Sequence, residues 1–206
     1  MGTEQLSVPD PKTDEGISNM PSSAMINVWD SKVRIFHWGT VLCFAAAWFS
    51  AGVDEQIHEY AGYTVAGLLA FRILWGFVGS RYARFRDFVP SPGTFFAYIK
   101  SLLGGRSSRH IGHNPMGAVM ILALMVLLIV ISATGWMMLT TAYFGVAWVE
   151  QVHQYATYGL LGLLPLHVGG ALLSSYLHRE NLVLAMVTGR KPANVVHKPV
   201  ATAPAE

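Results

Sequence analysis

The chain has 206 residues, 52% of them hydrophobic and only 13% charged, with a mean hydropathy of +0.40. Soluble domains carry nearer a quarter charged residues, so this balance excludes an ordinary soluble domain and predicts membrane helices, with length for about four spans. The net charge of +2 is weakly basic, which gives no reason to expect nucleic acid. One cysteine, Cys43 in the apolar run VLCFAAAW, excludes both an internal disulfide and a cysteine-ligated cluster within the chain.

Residues 1–27 are polar and have no apolar run, so a disordered tail is expected, without the basic start and apolar core of a secretory signal. The first span is predicted at about 35–53, opened by VWDSKVR and then His37 and Trp38. A short acidic turn follows, with Asp54, Glu55 and Glu59. The second span is about 60–79, just after His58, and contains Arg72 fourteen residues beyond that histidine. A long basic connection, 80–115, includes TFFAYIKSLL, whose apolar spacing predicts a short amphipathic helix lying on the membrane surface. The third span, about 117–139, is the most uniformly apolar and has no histidine. TAYFGVAWVEQ leads into the fourth span, about 153–177, and residues 192–206 are expected to form a second loose tail.

The fourth span carries His153 and His167. Fourteen residues of helix place the two rings within ~40° of one face and about 21 Å apart along the axis. In a membrane roughly 30 Å thick, that puts one imidazole towards each side. Ionisable groups there are costly and mark function, and imidazole is an axial ligand of haem iron. The spacing therefore predicts two stacked haems, each needing a second histidine.

Topology supplies the partners. Thirteen of the fourteen Lys and Arg residues lie in the N-terminal flank, the middle loop and the C-terminal tail; the fourteenth is Arg72. The loops around Asp54 and Glu150 have none, so both termini are expected in the cytoplasm. His58 then pairs with His153 on the outer side, and His37 with His167 on the inner side. Ligation by two histidines fills both axial positions of each iron and suits electron transfer. A buried guanidinium needs a counter-charge, which a haem propionate supplies to Arg72; Arg34 is a second candidate for that role. His110, His113, His178 and His197 are expected at solvent, with a place for His113 beside a quinone as the alternative.

VWDSKVRIFHW, HEYAGYTVAGLLAFRILWGFVGSR, GHNP and HRENLVLAMVTGRK together resemble the bacterial cytochrome b561 and nickel–iron hydrogenase cytochrome b family, over roughly residues 28–191. The resemblance implies an all-α, four-helix, inner-membrane bundle with two b-type haems on His37, His58, His153 and His167. It also implies electron transfer between the quinone pool and a redox partner, such as a c-type cytochrome. A homodimer is compatible with this. Two other functions remain open: a self-contained superoxide:quinone oxidoreductase and a non-haem membrane anchor. The lack of Lys and Arg in the outer loops counts against the first.

Overall fold

The computed structural model describes residues 25–105 and 112–192. In chain order it contains β1 (Met25–Asn27), α1 (Ser31–Ser50), α2 (Glu55–Val78), α3 (Phe85–Phe88), α4 (Pro92–Leu103), α5 (Pro115–Met138), α6 (Ala147–His178), α7 (Leu182–Thr188) and β2 (Arg190–Pro192). Four of these, α1, α2, α5 and α6, are long and apolar enough to cross a membrane.

Local chemistry sets most of the helix starts. Asp30, Asp54 and Asn114 each accept a hydrogen bond from the backbone N–H three residues on, capping α1, α2 and α5. Ser91 does the same for the amphipathic helix α4, which begins with Pro92. Helix α1 starts four residues before the expected span because its cap lies ahead of the apolar onset. Helix α6 starts at Ala147, six residues before the expected 153. Its cap, Val146, offers no side-chain hydrogen bond, and Glu150 and Gln151 disguise the first turn as loop.

The principal packing pairs are α1 with α2, α5 with α6, and α2 with α5. The core lies at mid-height: Val65 and Leu69 from α2, Met125 and Leu128 from α5, and Leu160 from α6, with Cys43 and Phe44 of α1 against them. Lipid is as apolar as these side chains, so this layer is held by van der Waals fit rather than by escape from water. Leu74, Phe77 and Phe49 point outward, as lipid-facing positions should. Pro165 lies inside α6 without ending it. Its ring removes the backbone hydrogen bond to the Leu161 carbonyl, two residues before His167.

The first and last described segments meet at the bundle end where α1 begins. Residues 25–27, expected in a tail, pair antiparallel with 190–192, and Val28 and Trp29 pack on Ala185. Two three-residue strands so far apart in sequence carry no local signal, which is why the expectation failed there. The Val28 and Trp29 N–H groups donate to the Gly189 carbonyl. Gly189 has φ +82°, and a Cβ on it would come within 2.5 Å of the Trp29 carbonyl oxygen, so no larger residue fits. Lys191 and Glu180, both nearly inaccessible, form an ion pair at 3.2 Å.

Candidate functional site

Four half-buried histidines face one another in two pairs. The His58 and His153 rings have centroids 6.3 Å apart, and the His37 and His167 rings 6.4 Å apart. Leu160 lies seven residues from each histidine of α6, so the mid-height core separates the pairs. The periodicity of α6 puts both rings on one side, and the antiparallel α1–α2 hairpin brings one histidine to each end.

Hydrogen bonds orient the first pair. His58 Nδ1 lies 2.8 Å from the Ala47 carbonyl, and His153 Nδ1 lies 3.0 Å from the Ile131 carbonyl. A carbonyl only accepts, so each Nδ1 carries the proton and each Nε2 keeps a free lone pair. Thr134 Oγ1, whose proton points to the Val130 carbonyl at 2.7 Å, also lies 3.2 Å from His153 Nδ1. Gly135 makes room for that ring: a Cβ there would come within 3.2 Å of His153 Cε1. His37 packs edge-on against Trp38 at 5.1 Å, and its buried Nδ1 has no hydrogen-bond partner.

The spacing fits a metal-centred macrocycle. Two imidazoles bonded on opposite sides of one metal atom, at about 2.0 Å per bond, have ring centres about 6 Å apart. No three His, Cys, Asp or Glu side chains among the described residues converge on a metal-binding point. A bare ion would thus lack a closed ligand set, whereas a porphyrin brings four nitrogens and needs two more ligands. Gly62, Gly67, Gly162, Gly169 and Gly170 have open space where a Cβ would stand. That leaves α2 and α6 without side-chain bulk at five positions.

Arg72 is 3% exposed and, among the described residues, makes no ion pair; its Nη1 has no hydrogen-bond partner. The Phe85 and Phe88 rings lie 5.2 and 5.8 Å from its guanidinium carbon. Such contacts return about 0.5–2 kcal/mol, less than the several kcal/mol needed to desolvate a cation. The two ring contacts therefore do not by themselves offset the burial of this charge. Arg34 is differently engaged: Nη1 donates to the Val187 carbonyl at 2.6 Å, fastening α7 to α1, while its buried Nε has no partner.

Two histidines expected at solvent are not there. His178 is 8% exposed. The His113 ring lies 4.4 Å from Trp29 and 5.0 Å from Phe88, with a shielded Nδ1 that has no partner. Burial, then the charges of Arg72, Lys191 and His167, push its pKa down to about 3, so the ring is neutral. Its neighbours come from distant segments, and only the GHNP sequence hinted at a role. His110 and His197 lie outside the described residues.

The family profile described as prokaryotic cytochrome b561 matches residues 28–189. The probable Ni/Fe-hydrogenase 1 B-type cytochrome subunit of Escherichia coli (strain K12) is 34% identical over 116 residues, covering 43% of this chain and 49% of that protein. The chain thus spans about half the length of that relative. The probable Ni/Fe-hydrogenase B-type cytochrome subunit of Rhizobium leguminosarum bv. viciae is 23% identical, covering 81% of this chain and 88% of its own length. Its counterpart from Azotobacter vinelandii is 22% identical, with coverages of 86% and 93%. No solved structure matches the chain. With a profile match across nearly the whole helical region, the chain belongs to the prokaryotic cytochrome b561 family.

Proposed function

We propose that this protein is a di-haem b-type cytochrome that carries electrons through the membrane between the quinone pool and a redox partner protein. The observation that carries this reading is the pair of facing imidazole couples, at 6.3 and 6.4 Å, one towards each end of the bundle. His58 and His153 would hold one haem and His37 and His167 the other. When bound, each haem supplies a one-electron couple whose potential depends on its axial ligands and burial. The chain's own work is to hold the rings apart at the right depth and fix the His58 and His153 tautomers. It also sets a positive charge, Arg72, near the His37 end. Arg72 rather than Arg34 is assigned to a propionate, since the Arg34 guanidinium is already bonded to the Val187 carbonyl.

The distribution of Lys and Arg supports cytoplasmic termini, which makes the His58 end the outer one. That end presents Asp54, Glu55 and Glu150, a poor entrance for superoxide, so electron transfer between proteins is preferred to superoxide oxidation. The relatives' names make a nickel–iron hydrogenase one candidate partner, beside a small c-type cytochrome. Pyridine haemochrome analysis of the purified protein tests the reading: two non-covalent b-type haems per chain are expected, and one or none contradicts it.

A further inference from the structure

We propose that Arg72 and His113 together bind one carboxylate, a propionate of the haem held by His37 and His167, and that Trp29 and Phe88 close the site around it. This rests on the di-haem reading and extends it to a residue outside the ligand set.

Arg72 and His113 each present a buried nitrogen without a partner, Nη1 and Nδ1. They flank the same ring: Phe88 lies 5.8 Å from the guanidinium carbon and 5.0 Å from the imidazole centroid. Trp29 also packs on the imidazole, with ring centroids 4.4 Å apart. The two donors come from separate elements, α2 and the turn before α5, where the Asn114 cap and Pro115 fix the backbone. Local geometry alone would not have brought them together.

Charge decides the ligand class. His113 is neutral, so the pair carries one positive charge, from Arg72. The acidic group whose charge acts on Arg72 is Asp30. That carboxylate already accepts from the Val33 N–H, Trp75 Nε1 and Ser80 Oγ. A neutral carbonyl, as on a quinone, would leave the guanidinium uncompensated. A carboxylate neutralises it and accepts from both donors. A lipid phosphate has the same acceptor chemistry, but Trp29, against the His113 ring, directly precedes the Asp30 cap of the helix that bears His37, which favours the cofactor edge.

The test compares His113→Leu, His113→Gln, Arg72→Ala, the double variant Arg72→Ala with His113→Leu, and His167→Ala as the band reference, all in purified protein. Haem content, redox titration of both haem bands and bound phospholipid phosphorus are measured for each. Both haems should stay bound in His113→Leu. The band that His167→Ala abolishes should become harder to reduce by about tenfold, 59 mV for one electron, while the other band stays put. His113→Gln, which keeps a donor, should recover most of the shift, and the double variant should lose less than the sum of the singles. An unmoved band in His113→Leu, equal shifts in both bands, or a Gln variant no better than Leu overturns the proposal. Release of bound phospholipid with unchanged bands would assign the pair to lipid and overturn it too. A wild-type chain without haem would fell the di-haem reading first, and this proposal with it.

Discussion

Asp30 is a sensitive point in the support of the His37 site. Its half-buried carboxylate caps α1, accepting from the Val33 N–H at 2.8 Å, and it also accepts from Trp75 Nε1 at 3.0 Å and from Ser80 Oγ. One side chain thus starts the helix that bears His37 and ties it to α2. In Asp30→Ala the lost cap costs about 1 kcal/mol. The two charge-assisted hydrogen bonds add about 1.5 kcal/mol each, the low end for a partly exposed acceptor. A loss of about 4 kcal/mol lowers the thermal midpoint by roughly 8–16 °C in a chain of this size. Asp30→Asn keeps the cap but puts an NH2 donor where Oδ2 accepted, and should lose about 3 kcal/mol. Burial alone would raise the Asp30 pKa, but hydrogen bonds from Ser80, Val33, Trp75 and Lys32 outweigh it and hold the carboxyl below its ordinary value. A depressed folded pKa means the stabilisation is complete above the ordinary carboxylate range and is lost as pH falls through the lower, folded value. The gap between wild type and Asp30→Asn should therefore close in strong acid and persist at neutral pH. Thermal melts in detergent, followed by far-UV circular dichroism, measure all of this. An Asp30→Ala midpoint within a degree or two of wild type would refute the reasoning.

Three further outcomes follow from separate contacts. Gly135→Val should push the His153 ring away from the Ile131 carbonyl and weaken haem binding at the His58–His153 site by about 10-fold or more, read as loss of one haem band with the other intact; unchanged binding would contradict the close approach at 3.2 Å. Lys191→Ala removes the buried ion pair with Glu180 and should cost about 3–5 kcal/mol, whereas the double replacement Lys191→Met, Glu180→Leu should melt nearer to wild type. A reporter fused after Lys191 should be active only in a cytoplasm-dependent form, and periplasmic activity would reverse the topology.

The membrane helices and the histidine pairs were legible because both are written at short range. Apolar runs of about 20 residues declare themselves, and a histidine inside one, such as His167 between Leu166 and Val168, is conspicuous. A fourteen-residue spacing on one helix fixes face and height together, and the basic connections then order the histidines by depth. Contacts between distant segments left no such trace. Met25–Asn27 pairs with Arg190–Pro192 through backbone groups that any sequence provides. His113 is enclosed by Trp29 and Phe88, neither of which is its neighbour in sequence, so a polar loop motif concealed a buried ring. The start of α6 was hidden for a different reason: Val146 gives no capping signal, and Glu150 and Gln151 interrupt the apolar run just after the helix begins.

The most direct test of the central claim is a redox titration of the four single variants His37→Ala, His58→Ala, His153→Ala and His167→Ala, with both haem bands followed separately. Each facing pair is one site, so its two variants should remove or perturb the same band. The double variant of a pair should match either single. His58→Ala and His153→Ala should affect one band, and His37→Ala and His167→Ala the other. If His58→Ala and His167→Ala instead removed the same band, the pairing of facing rings would be contradicted even with two haems bound.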